Sequence, residues 1–365
     1  MPAADETRLD LDGDVVALLR QLIDIESVSG DEGPIADAVE GALRALPGLE
    51  VIRDGDCVVA VSPGPTDRRV IIAGHLDTVP VAGNLPSRSV GTGAEEQIFG
   101  RGSADMKGGV AVQLSVAAAL AHAGRQARPV TWIFYDNEEV EAARNGLGRL
   151  ARNRPDLLAG EFAVLCEPSN ARVEGGCQGT LRVDIRLAGR AAHSARPWVG
   201  SNAIHAAAPV LDRLARYRAR EPEVDGLTYR EGLSAVGIRG GIAGNVIPDE
   251  CVVTVNYRFA PDRDLAAAEA HVREVFDGFD VTRTDGSPGA RPGLDRPVAA
   301  EFLAAVGGEP GPKFGWTDVS RFSALGVPAV NYGPGDPLLA HTDDEHTPAA
   351  QVRACREALL RWLAG

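Results

Sequence analysis

Residues 129–142, PVTWIFYDNEEVEA, restrict the fold more than any other stretch of this chain. Val130, Trp132, Ile133 and Phe134, with Thr131 between them, read as a strand buried on both faces. The run then ends in Asp136, Asn137, Glu138, Glu139 and, one residue on, Glu141. Adjacent glutamates at the mouth of a buried strand repel each other, so the fold must bring a counter-charge to them from elsewhere. Open α/β sheets bind their ligands just outside such strand ends, which makes an α/β layer architecture the natural setting.

The rest of the chain agrees with that class. VVALLRQLIDI (15–25) has helical apolar spacing, and Ser29 or Asp31 is placed to cap a second helix running to about Leu46. VIRDGDCVVAV (51–61) reads as two short strands around Asp54-Gly55. RRVIIAG (68–74) and EFAVLCE (161–167) are short apolar runs of the buried-strand kind, and residues 106–124 are apolar nearly all round, as in a buried helix. Near residue 178 the texture changes. TLRVDIRLAGR (180–190), LSAVGIRGG (233–241) and CVVTVNYRFA (251–260) alternate in period 2, with helical stretches at 202–217 and 264–277. This β-α-β-β-α-β order predicts a ferredoxin-like α+β domain over 178–286, inserted into a catalytic domain formed by 1–177 and 287–365. The Gly/Pro-rich DGSPGARPGL (285–294) marks its exit, followed by an Ala-rich helix, the strand VPAVNYG (327–333) and a final helix (348–363).

Composition narrows the partners. A net charge of −14 argues against binding nucleic acid or an anionic membrane. No run of 18 apolar residues predicts a transmembrane helix, and the acidic start MPAADETRLDLDGD is unlike a signal peptide. Five scattered cysteines without C-x-x-C pairs read as reduced thiols in a cytoplasmic protein.

Four polar clusters share one grammar: an apolar element edge that delivers acids or a histidine. They are GHLDTVP (74–80), GRGSADMKGG (100–109), YDNEEV (135–140) with LCEPS (165–169), and AHTDDEH (340–346). Singly each has a bland reading. A lone histidine after a strand is commonly structural, an aspartate before a helix such as Asp105 is commonly a cap, and paired glutamates are commonly a solvated face. Together at strand ends, histidines and carboxylates without clustered cysteine suit zinc, manganese or cobalt. In an extended segment Asp77 faces the same way as His75 and can hold its ring. Asp105, with two oxygens, can bridge two metals. One of the adjacent glutamates can then bind metal while the other takes a proton from water.

These motifs resemble the co-catalytic di-zinc amidohydrolases and exopeptidases that include aminoacylases and glutamate carboxypeptidase, over nearly the whole chain and in the family's order. Within that family GHLDTVPVAGNLPSR, GCQGTLRV, YREGLSAV, GNVIPD, FAPDR and GWTDVSRFSALGVPAVNYGPGDP point to an N-succinyl amino acid as the substrate. The resemblance implies two Zn2+ per subunit, for which Co2+ or Mn2+ can substitute. His75 and Glu167 would ligate one, Glu139 and His341 the other, and Asp105 both. Glu138 would be the general base and Asp77 the orienter of His75. His346 rivals His341, but the family pattern A-H-x-x-D/N-E places the ligand at His341. The inserted domain would form a homodimer and send His193 into the partner's site to stabilise the oxyanion. Asn245, Arg258 and, more weakly, Thr317 would meet the substrate. The implied reaction is hydrolysis of N-succinyl-LL-2,6-diaminopimelate to succinate and LL-2,6-diaminopimelate, with deacetylation of N-acetylornithine or cleavage of a dipeptide as the alternative.

Two departures stand out. Many relatives read E-E-x-G where this chain has Glu138-Glu139-Val140-Glu141, which leaves Glu141 as a solvated acid. Many have an arginine near GCQGT, where this chain has Gln178, so Arg182, Arg196 or Arg258 would serve the succinyl carboxylate. Other classes lack their motifs: no G-x-S-x-G occurs, and GRGSAD has Asp105 where a dinucleotide fingerprint needs its third glycine.

Overall fold

The structure, a computed structural model, describes residues 8–365. The N-terminal stretch compared above with a signal peptide lies partly outside them. The chain divides into two compact units, one formed by residues up to Gly175 with Gly293–Gly311 and Arg321–Gly365, the other by Gly176–Pro292 with Pro312–Ser320. No helix of the described residues is long and apolar enough to cross a membrane.

The first unit is built on a mixed sheet. At its centre Val130–Tyr135, Val70–His75, Phe162–Leu165 and Ala329–Asn331 lie side by side and parallel. Cys57–Val61 and then Glu50–Asp54 extend one edge antiparallel, joined by the tight turn expected at Asp54-Gly55. Every residue of Val70–His75, Val130–Tyr135 and Phe162–Leu165 is buried, which is why these strands read as continuous apolar runs. The helix Lys107–Ala123 is buried almost all round, sharing one core with Val15–Asp24 and the C-terminal helix Ala349–Ala364. Each fully buried Leu, Val or Phe there contributes roughly 1.5–3 kcal/mol.

The second unit holds a four-stranded antiparallel sheet in the order Gly232–Gly240, Glu250–Phe259, Gly179–Ala188, Asp280–Ser287. Ala208–Arg216 and Leu265–Val275 join its core through Val210, Ala268 and Val272. A two-stranded ribbon, Ala192–His193 with Val246–Ile247, stands apart from that sheet.

Three local expectations differ from what is observed. The second helix, Gly33–Arg44, starts at Glu32 rather than at a Ser29 or Asp31 cap, because Pro34 occupies its first turn and the Ser29 and Glu32 side chains bond elsewhere. The 202–217 stretch is helical only from His205, first as a 3₁₀ turn and then as Ala208–Arg216, whose first turn holds Pro209. Residues 312–320, read with the catalytic domain, belong to the second unit. There Gln178 N donates to Lys313 O (3.2 Å) and Ser320 Oγ to Pro288 O (2.7 Å).

Candidate metal centre

Parallel register carries the polar clusters to one end of the sheet. His75 pairs with Tyr135, so the chain enters Asp136–Glu139 beside it. Ala73 pairs with Leu165, which brings Glu167, two residues on, level with His75. His75 and Glu167 are both buried there.

His75, Asp105 and Glu139 each offer a ligand atom within 4.8 Å of the others'. Asp105 stands between two histidines: its Oδ1 lies 3.1 Å from His75 Nε2 and its Oδ2 3.4 Å from His341 Nε2. His341 Nε2 is also 2.9 Å from Glu139 Oε1. Asp105 therefore faces the histidines and does not cap the helix behind it, whose cap is Met106 without a side-chain bond. His346 is directed elsewhere, its ring stacked on Phe99 at 4.4 Å and its Nδ1 2.7 Å from the Asp344 carbonyl.

Asp77 lies against the His75 ring, as expected of its orienter, and carries a second task as well. His75 Nδ1 is held at 2.9 Å by the backbone carbonyl of Asp77, while the nearer carboxylate oxygen is 3.5 Å away. The carboxylate also accepts the backbone N–H groups of Glu138 (2.9 Å) and Glu139 (3.0 Å) and the Ser29 hydroxyl (2.7 Å). One buried aspartate thus fixes both glutamates at their backbones. Glu32, also fully buried, completes the cradle by accepting from Asn137 N (3.0 Å) and Gly30 N (2.9 Å). Asn137 sits in the left-handed region, φ 56°, where asparagine is one of the few residues at ease. Sequence reasoning missed Glu32, since nothing around SGDEGP (29–34) marks it as a partner of residues a hundred positions away.

Two carboxylates about 4 Å apart repel by about 4 kcal/mol at an effective dielectric near 20, a large part of a domain's net stability. The protein meets this with cations. Burial pushes the His75 imidazolium down, but its bonds to Asp105 and Asp77 outweigh burial and lift it well above the ordinary range. Bonds to Asp105 and Glu139 raise His341 to about 10. Against the pull of burial, the two histidines hold Asp105 well below the usual carboxylate range. Burial and the Asp105 charge push Glu139 up. Both Nε2 atoms face carboxylate oxygens, the surroundings that draw a cation. With His75 Nδ1 turned to a carbonyl, its Nε2 is the atom offered, as in histidines that bind metal. Imidazole nitrogens and carboxylate oxygens form a donor set that fits zinc, cobalt or manganese.

The remaining predicted residues lie in the second unit. The 192–193/246–247 ribbon brings His193 and Asn245 together, with Ser194 N donating to Asn245 O at 2.9 Å, and both side chains are exposed. Arg258 lies on Glu250–Phe259, paired with Thr180 and Gly232; burial and the nearby Arg182 lower its pKa. Thr317 is buried, its carbonyl 3.7 Å from Cys177 Sγ. Gln178 is buried and donates to the Arg230 carbonyl.

The chain is similar to known proteins over nearly its whole length. Residues 71–365 match the model of peptidase family M20/M25/M40. A Mycobacterium tuberculosis protein provisionally named succinyl-diaminopimelate desuccinylase DapE is 55% identical over 360 residues, covering 98% of this chain and 100% of that one. The succinyl-diaminopimelate desuccinylase of Corynebacterium glutamicum is 46% identical over 365 residues, covering 98% of each. Among solved structures, a Staphylococcus aureus tripeptidase superposes with a TM-score of 0.79 at 19% identity, covering 98% of both chains. A dinuclear metal-binding M20 peptidase of Bacillus subtilis superposes at 0.70 and 17%, covering 95% of this chain and 96% of that one.

Proposed function

This chain belongs to peptidase family M20/M25/M40, and from that premise we propose that it is a metal-dependent amide hydrolase that cleaves N-succinyl-LL-2,6-diaminopimelate to succinate and LL-2,6-diaminopimelate. The observation that carries the substrate is whole-chain identity of 55% and 46% to two proteins bearing the desuccinylase name. The reaction serves lysine and cell-wall synthesis, and the cytoplasm is its proposed compartment.

His75, Glu167, Asp105, Glu139 and His341 would hold two zinc ions. When bound, the metals polarise the amide carbonyl and make water a stronger acid. Glu138 takes a proton from the attacking water as the new C–O bond forms at the succinyl carbonyl. It then gives that proton to the diaminopimelate nitrogen as the C–N bond breaks. Asp77 holds the Glu138 and Glu139 backbones, so that neighbouring carboxylates keep separate tasks. His193, delivered from a second copy of the chain, would donate to the oxyanion. Arg258, Asn245 and Thr317 would bind the substrate, the planar guanidinium suiting a carboxylate. The unit of Gly176–Pro292 with Pro312–Ser320 is then a dimerisation and substrate domain and the other unit the catalytic domain.

The deciding experiment compares N-succinyl-LL-2,6-diaminopimelate, N-acetylornithine and small dipeptides side by side on the zinc-loaded protein. The succinyl substrate should have the highest kcat/KM, and Glu138→Gln should abolish its turnover while retaining two metals. Preference for acetylornithine or a dipeptide overturns the substrate. A Glu138→Gln variant near the parent rate overturns the base.

A further inference from the structure

We infer that Glu345 is a positioning residue for the metal centre, its buried carboxylate locking the loop that carries Asp105 to the loop that carries His341. The inference rests on the metal-dependent reading above and adds to it a residue outside the ligand set.

Glu345 is 1% exposed. Its Oε1 accepts the backbone N–H groups of Ala104 (2.9 Å) and Asp105 (3.0 Å). Its Oε2 accepts Gly102 N (3.0 Å) and Arg101 Nη1 (3.0 Å). An ionised carboxylate offers about four acceptor positions, and all are used here. The backbone joins in, with Gly100 N donating to the Glu345 carbonyl at 3.1 Å. Arg101 spans the same gap, its guanidinium donating to Thr342 O and Pro80 O at 3.0 Å each.

The partners at the two ends of this clamp are what make it more than a staple. One bonded N–H belongs to Asp105 itself, whose two oxygens face His75 and His341. Four residues upstream of Glu345 is His341, at φ 66°, a left-handed conformation uncommon outside glycine that a fixed loop helps to hold. A shift at the 104–105 peptide would move the shared carboxylate away from one histidine or the other, and ligand sets tolerate only about 0.5 Å of such error. A second tie between the same segments, Thr347 Oγ1 to Ser103 O at 2.7 Å, does not touch Asp105 and so supplies an internal control.

The test is titration of the metal-free protein with Co2+, followed by its visible absorption, alongside thermal melts and kinetics. Glu345→Gln keeps the shape but turns an amide N–H toward donors. It should weaken at least one of the two cobalt equivalents by about 10–100-fold, the range typical of groups that orient ligands. Its kcat should recover as metal is raised, with KM unchanged. Glu345→Asp, shorter by one methylene, should fall between. Thr347→Val should melt earlier yet bind cobalt as the parent does. Parent-like cobalt affinity in Glu345→Gln, or an equal loss in Thr347→Val, overturns the inference. If Glu345→Gln does not fold, parent-like affinity in Glu345→Asp overturns it in the same way. Because no substrate enters the titration, an error about the substrate leaves its outcome unchanged, whereas failure of the parent to bind cobalt removes the metal-dependent reading itself.

Discussion

The carboxylates around His75 and His341 raise the pKa of both imidazoles, which links the stability of the metal-free protein to pH. For a histidine whose folded pKa is raised, the stabilisation is complete below the unfolded value, about 6.5, and is lost as pH rises through the folded value. For His341 that value is about 10, so the window runs from about pH 6.5 to about 10. Lys107, lowered by burial to about 7, has the opposite sign in the same window, since the unfolded chain then binds the extra proton. A difference between two proteins separates them. The melting temperature of metal-free parent should fall, relative to metal-free His341→Ala, as pH rises across this range. Parallel curves would show that His341 carries no bound proton there. Metal competes with those protons, so metal affinity should rise with pH.

At the scale of elements, the helix Lys107–Ala123 shows how closely the layers meet beneath the centre. A Cβ on Gly109 would lie 2.1 Å from the Cys166 carbonyl oxygen, immediately before Glu167. Only glycine lets the helix approach the end of Phe162–Leu165 this closely. Gly109→Ala must therefore push helix and strand end apart, at about 1–3 kcal/mol in urea denaturation, the usual range for an overfilled core. It should also weaken metal binding through Glu167. An alanine variant with parent stability would show that this contact yields freely. Helix and strand identity here was legible from apolar runs. The glycine contact was not, because its partner is fifty-odd positions away in the chain.

At the scale of the molecule, the second unit leaves one sheet edge apolar. Gly232–Gly240 is an edge strand with Val236 60% and Ile238 54% exposed. Ile204 and Leu211, on neighbouring segments of this unit, are also exposed. The opposite edge, Asp280–Ser287, is guarded by aspartates and an arginine, as edges that avoid pairing are. Sedimentation should find a dimer, and Val236→Lys with Ile238→Lys should convert it to monomer and lower turnover by withdrawing His193. A monomeric parent at micromolar concentration, active at full rate, would remove both the dimer and the crossing histidine.

By itself the sequence determined the strand and helix types, the change of texture near residue 178, and the residue types gathered at the strand ends. These follow from periodicities of two and 3.6 and from apolar runs, which are local in the chain. It also carried His75, Asp105, Glu139 and His341 as a set, because histidines and carboxylates that are bland singly resemble a metal site when they occur together in family order. Only the tertiary structure decided which atoms meet. Asp77, set against the His75 ring, also took the Glu138 and Glu139 backbones, Glu32 and Glu345 emerged as anchors, and residues 312–320 joined the second unit. Each of those outcomes is a hydrogen bond between distant segments, made because a buried polar group must find a partner wherever the fold brings one. Local pattern states that such a group exists, and the packed chain alone selects its partner.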